Sequence, residues 1–391
     1  MILTLIAFFA VLGLLVLVHE AGHFVVARRA GVKVEEFGFG LPPRIIGFYR
    51  NESGKWRPVG LKTKEAPNVI WSLNWIPLGG FVKIKGEQGE SVTDVDSFAN
   101  KSVWKRIKII SAGVFMNLVL AVFLLSFGLA IGSPQFIYDD QPLPTSARVK
   151  NVELTVFDVL VGSPAAEAGL EVGDIILSVD GQVIASISEF QDYITQKEIS
   201  LPITIFLERE GQTLSREVSP QVLAETGEPG IGVALVKTGI VSYPCYIAWW
   251  YGLGETFKMI WGIIYGFYLI IKNLIFSRQL IAEVYGPVGI ANLIGDAARL
   301  GLLYLLQFTA VLSVIIAVIN FLPFPALDGG RVLFLVIEAI RGKSINQKVE
   351  NVIHNIGFAL LMILVLVVTF RDIARVSSGF LDWWQKIIGM F

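Results

Sequence analysis

Charge vanishes from this chain in blocks. Residues 2–18, 109–138 and 300–327 contain no Asp, Glu, Lys or Arg, and 355–370 form a shorter block of the same kind. A hydrocarbon core needs about 20 apolar residues to cross, and inside it a backbone must satisfy its own polar groups, so helix is the default. The pattern predicts a polytopic α-helical membrane protein with about four spans, at 1–30, 106–133, 301–330 and 351–372. Between them the rhythm changes. In the loop 31–105, residues 68–76 and 81–85 alternate around Pro77-Leu78-Gly79-Gly80, which predicts a β-hairpin. Trp71, Trp75 and Phe81 give it an apolar face suited to association with the membrane. Residues 145–240 carry ordinary charge density and break into short strands and helices with Gly and Pro turns, as in a separate α+β domain. A helix is expected at 188–196, and strands at 201–209 and 213–218 turn around Glu210-Gly211.

The Lys and Arg residues orient the spans. Arg28, Arg29 and Lys33 follow the first span, and basic residues continue to Lys108, which places this loop in the cytoplasm and Met1 outside. The second span then exits, so 145–240 is extracytoplasmic. Arg331, Arg341, Lys343 and Lys348 mark 331–350 as a cytoplasmic loop. An odd number of spans must separate these two regions, and 301–330 alone satisfies that. Residues 246–300 are therefore an interfacial or buried helical region, with Glu255, Lys258 and Lys272 interrupting its aromatic run. The tail 373–391, with Trp383 and Trp384, reads as an amphipathic helix.

Composition adds three constraints. At 54% hydrophobic and mean hydropathy +0.64 the chain exceeds the 45–50% apolar content typical of soluble domains. A net charge of −1 gives no reason to expect a nucleic-acid partner. Cys245 is the sole cysteine, so no internal disulfide forms. The first block is expected to stay in place, because it lacks a basic start and a small-residue cleavage site and leads straight into His19-Glu20.

His19-Glu20-Ala21-Gly22-His23 carries the chemistry. On a helix, positions four apart share a face, so both imidazoles can grip one ion. Glu20 lies beside them, placed as a general base toward water on a metal such as Zn²⁺. Ionisable side chains within a span are costly and are functional by default. A catalytic zinc site takes three protein ligands. Asp328, in Asn320-Phe321-Leu322-Pro323-Phe324-Pro325-Ala326-Leu327-Asp328-Gly329-Gly330, is the candidate third. The prolines break the helix there, and the topology brings Asp328 and the two histidines to the same cytoplasmic depth. The competing reading is a plain helix-ending turn at Asp328-Gly329. Asn117 reads as interhelical glue, Arg331 as a cytoplasmic anchor and His354 as a packed or interfacial residue.

Two resemblances follow. Gly162-Ser163-Pro164-Ala165-Ala166-Glu167-Ala168-Gly169-Leu170 with Gly173-Asp174-Ile175-Ile176 resembles the PDZ domains of bacterial membrane and periplasmic proteases. The His19–His23 motif, the 320–329 motif and the intervening PDZ-like domain together resemble the site-2 protease family of intramembrane zinc metalloproteases, in its bacterial RseP-like group. Gly79-Gly80-Phe81-Val82-Lys83, Ala112-Gly113-Val114-Phe115-Met116-Asn117 and Gly286-Pro287-Val288-Gly289 also fit that family's pattern. This chain has room for one PDZ domain, where the best-known RseP-like enzymes carry two. The resemblance implies a substrate-backbone or oxyanion contact for Asn320. It implies single-pass transmembrane substrates, of anti-sigma-factor or signal-peptide-remnant type, cut after a first extracytoplasmic cleavage. It implies a bacterial cytoplasmic (inner) membrane, and a PDZ-like domain that meets a peptide or trimmed substrate. A reading from another class is a non-catalytic PDZ-based membrane scaffold with a structural or absent metal site.

Overall fold

The computed structural model describes residues 2–61, 66–87, 89, 92–137, 143–160, 162–197, 201–209, 211–223, 229–276 and 285–388, without the side chains at 77, 78, 274 and beyond 374. The chain begins with α1 (Ile2–Arg29), β1 (Val34–Arg50), β2 (Trp56–Val59), β3 (Ile70–Ile84) and α2 (Val103–Ile131). Then come β4 (Ser133–Phe136), β5 (Arg148–Val159), α3 (Pro164–Glu167), β6 (Ile175–Val179), α4 (Ile187–Gln196), β7 (Ile203–Arg209) and β8 (Gln212–Val218). It closes with β9 (Gln221–Val222), β10 (Pro229–Gly230), β11 (Val233–Ser242), α5 (Cys245–Phe276), α6 (Pro287–Leu300), α7 (Leu302–Phe321), α8 (Asp328–Arg341) and α9 (Gln347–Ile388). These form two compact units, 127–248 and the remainder.

In the larger unit, four of the described helices are long and apolar enough to cross a membrane: α1, α2, α7 and the first 28 residues of α9, with mean hydropathies of 2.5–2.7 in their best windows. α2 crosses α1 at Gly22, where a Cβ would lie 2.3 Å from the carbonyl oxygen of Ala112. Small residues at such crossings let membrane helices approach through their backbones. Toward its start α1 packs Ala7, Val11 and Leu15 against Ile294 of α6 and Leu312 of α7. Toward its end Ala27 joins Ile109 and Ile110 of α2, Val34, Ile84 and Leu335 of α8. One difference from the sequence reading stands out: residues 328–341 are helical where a cytoplasmic loop at 331–350 was expected. The helical region expected at 246–300 opens with α5, about 48 Å long. The residues of the expected amphipathic tail face, Trp383 and Trp384, lie outside the described side chains.

The expected hairpin is also rearranged. Phe37 pairs with both Trp71 and Val82, and Phe39 with both Leu73 and Gly80. The two arms of β3 thus flank the first part of β1 instead of pairing with each other. The second part of β1, from Arg44 to Tyr49, pairs with Asn74 to Ile70 on that arm's far side, and β2 pairs beyond it. β3 folds back at Gly79, whose φ of +81° is left-handed; a Cβ there would also lie 2.7 Å from Val16 of α1. This brings the 80–84 arm against α1.

The smaller unit is a six-stranded sheet ordered β4-β11-β5-β6-β7-β8. Leu154, Val156, Ile176, Ile203, Ile205 and Leu207 bury one face under α3 and α4, with Phe190 and Ile194 of α4 completing the core. Serines start both helices. Ser163 accepts from the Ala166 N–H, and Ser186 accepts from the Glu189 N–H at 3.1 Å, satisfying amides that a first turn leaves open. Asp180 and Gly181 take positive φ, closing β6 with an Asp-Gly turn. The long strands β5 and β11 have no counterpart in the sequence reading.

Candidate metal centre

His19 and His23 stand one turn apart on α1, both buried, because the helix presents positions i and i+4 on one face. α7 ends at Phe321, since Pro323 and Pro325 have no N–H to continue it. The chain then turns through Ala326, at φ +79°, and re-enters a helix at Asp328. Gly329 and Gly330 make the turn possible: a Cβ on either would lie 2.3 Å from a carbonyl oxygen of Phe321, Leu322 or Phe324. Asp328 Oδ2 ends 3.0 Å from His19 Nε2 and 3.5 Å from His23 Nε2, and the two Nε2 atoms are 3.2 Å apart.

The donor set fits a zinc ion. Tetrahedral ligands about 2.0–2.1 Å from the metal are separated by about 3.3–3.4 Å, close to the three distances found. His23 Nδ1–H donates to the Ile109 carbonyl at 2.9 Å, which fixes the tautomer whose Nε2 is a bare ligand atom. Gly113 of α2 leaves room for an ion beside the two imidazoles. A Cβ on it would lie 2.4 Å from His23 Nε2 and 2.7 Å from His19 Nε2.

Glu20 faces the same cavity, which measures about 250 Å³ and is also lined by Phe81, Val82, Ile84 and Ala326. Its Oε2 accepts the Val82 N–H at 3.0 Å, so the outer arm of β3 orients the carboxylate. The structure thus gathers His19, Glu20, His23 and Asp328. Asn320 does not join them: it lies half-buried on the last turn of α7 and is not among the residues lining the cavity.

Three side chains have partners that the sequence reading did not supply. Arg331 pairs with Glu87, and both line the cavity. Asn117 is fully buried, but the bond between α2 and α7 runs from the Ser313 hydroxyl to its backbone carbonyl, at 2.7 Å. Its amide atoms have no hydrogen-bond partner. His354 of α9 accepts the Ala326 N–H on Nδ1 at 2.9 Å. The Gly113 and Val82 contacts were beyond sequence reasoning, although the Gly-rich runs around 79–83 and 112–117 held the clue that backbone approaches closely there.

The chain matches known proteins over nearly its whole length. Residues 7–364 match the model of peptidase family M50. A Clostridium perfringens relative is 34% identical over 95% of this chain and 98% of its own. The regulator of sigma-W protease RasP of Bacillus subtilis is 29% identical over 95% of this chain and 98% of its own. The solved PDZ domain of an SdrC-like protein from Listeria monocytogenes covers 22% of this chain and 92% of that domain, with 30% identity and a TM-score of 0.21. By its match over nearly the whole length, the chain belongs to peptidase family M50, the site-2 proteases, and is a membrane-embedded zinc metalloendopeptidase.

Proposed function

We propose that this protease hydrolyses peptide bonds inside the transmembrane segments of single-pass proteins, with His19, His23 and Asp328 holding zinc and Glu20 acting as general base. One observation carries the reading: ligand atoms from residues 309 apart in sequence meet within hydrogen-bonding distance, with a carboxylate beside them. When bound, zinc supplies Lewis acidity and makes hydroxide available near pH 7. Three protein ligands leave one position open for chemistry, whereas a structural zinc is closed by four, and this argues against the scaffold reading.

Glu20, oriented by Val82, takes the proton that water gives up as it attacks the scissile carbonyl. A helical substrate must first unwind, because its peptide groups are engaged in their own hydrogen bonds. The unwound segment pairs by strand addition with the outer arm of β3, whose Phe81, Val82 and Ile84 line the cavity. Asn320, in the role the family resemblance implies, steadies that strand. The smaller unit is a PDZ-like domain that lies outside a bacterial cytoplasmic membrane and excludes substrates whose outer part has not been trimmed. Substrates of the anti-sigma-factor or signal-peptide-remnant type fit this reading, and the name of the Bacillus subtilis relative supports the first.

Glu20→Gln tests the mechanism. The purified variant keeps its zinc, and cleavage of a transmembrane substrate in detergent falls by about 10²–10⁴-fold, the usual worth of a positioned general base. Undiminished cleavage by the zinc-loaded variant removes Glu20 from this role. Mass spectrometry of the membrane peptides that accumulate with this variant identifies the substrates.

A further inference from the structure

The backbone between α7 and α8 has few amides, and their bonds can be counted. Pro323 and Pro325 have no N–H. Leu322 N–H donates to Ile319, Phe324 N–H to Leu322 and Leu327 N–H to Phe324, all carbonyls of α7 or of the turn itself. The one remaining N–H in the turn, that of Ala326, donates to His354 Nδ1 at 2.9 Å. At membrane depth an unmatched N–H costs several kcal/mol, so this bond is strongly required. Ala326 is also where a non-glycine residue holds φ at +79°, a conformation that persists only when its surroundings impose it.

α9 is built flush against this turn. Gly357, one turn after His354 on the same face, leaves no room for a side chain: a Cβ would lie 2.4 Å from Pro325 Cβ and 2.5 Å from its carbonyl oxygen. The imidazole is steadied from the other side by Phe334 of α8, with ring centroids 5.5 Å apart. Accepting on Nδ1 leaves the proton on Nε2, a buried atom with no hydrogen-bond partner, and the residue lines a cavity of about 280 Å³ together with Arg106, Asn351 and Asn355.

From this accounting we infer that His354 is a positioning residue for the metal centre: it holds Ala326 in its left-handed turn and so sets where Asp328 presents its carboxylate. α9, a span that supplies no ligand, thereby fixes the third ligand. The inference rests on Asp328 being a zinc ligand, and the experiment separates the two.

Zinc dissociation constants of the full-length protein in detergent, measured by competition with a chromogenic chelator, are the readout. His354→Leu removes the acceptor and weakens zinc binding about 10–100-fold, the range for residues that orient a ligand, while the helical content of the metal-free protein, read by circular dichroism, stays at the parental value. His354→Asn, whose Oδ1 can replace Nδ1 as acceptor, restores affinity to within about threefold of the parent. If His354→Leu fails to accumulate, His354→Gln replaces it, because its oxygen reaches the Nε2 position and misses Ala326. Parental zinc affinity in the Leu or Gln variant, or equal weakening in the Asn variant, overturns the inference. Asp328→Ala is the control: if it binds zinc as the parent does, the site assignment itself is wrong.

Discussion

A methyl group added to Gly113 would occupy the space beside both ligand nitrogens. Gly113→Ala changes neither a proposed ligand nor the proposed base, so it tests the room for the ion. The expected outcome is loss of zinc below about one tenth of an equivalent after dialysis, measured by elemental mass spectrometry, with helical content unchanged by circular dichroism. Full zinc occupancy in the variant would show that the ion lies elsewhere. The histidine pair was legible in the sequence because its geometry is local: a four-residue spacing on a helix needs no knowledge of the fold. Asp328 needed topology as well: alone it was balanced against a turn, and the shared cytoplasmic depth tipped it toward a ligand. His354 was not legible, since its partner is a backbone amide 28 residues away.

At the scale of elements, α2 and α7 are joined by the Ser313 hydroxyl, buried at 0% exposure, donating to the Asn117 carbonyl. Bonds of this kind between membrane helices are worth about 0.6 kcal/mol on average, far less than desolvation alone suggests. Ser313→Ala should therefore lower stability by about 0.5–1.5 kcal/mol in a denaturant titration, and leave zinc content intact. A loss above about 3 kcal/mol would mean that the hydroxyl does more than join two helices. Apolar blocks announced these spans plainly, because lipid imposes one rule on every exposed position. The sheet was harder. β1 contains glycines at 38, 40 and 47 and prolines at 42 and 43, which hide its alternation. Its pairing with both arms of β3 is a non-local choice that a local turn signal at 77–80 cannot reveal. α8 was hidden by its basic residues: Arg331 and Arg341 read as loop anchors, yet Val332, Leu335 and Arg331 form one helical face turned to the core and the cavity.

At the scale of the whole molecule, the smaller unit carries two carboxylates whose pairing makes it sensitive to acid. Asp174 is 1% exposed; burial raises its pKa, but the Arg209 guanidinium and the Glu171 N–H outweigh that and hold it below the ordinary carboxylate range. Asp180 is held down in the same sense: burial raises it, while Lys197, the Thr204 N–H and the Tyr193 hydroxyl lower it further. A depressed folded pKa stabilises fully above the unfolded value of about 3.9 and loses that contribution as pH falls through the folded values. Hydrogen exchange of the intact protein, corrected for intrinsic rates, should show protection in 148–242 constant from pH 7 to about pH 5 and declining below about pH 4. Arg209→Ala, which strands the Asp174 carboxylate, should lower that protection by about 3–5 kcal/mol at pH 7. A pH-independent unit would contradict the assigned pairing. Finally, the centre ties His19 to Asp328 across almost the entire chain. An ion seated there acts as a clasp on a very long loop, closable only after the first and third spans have both entered the bilayer. Assembly and metal loading are then one event: a half-inserted chain has no complete site, and so no means of cutting its neighbours before its own folding is finished.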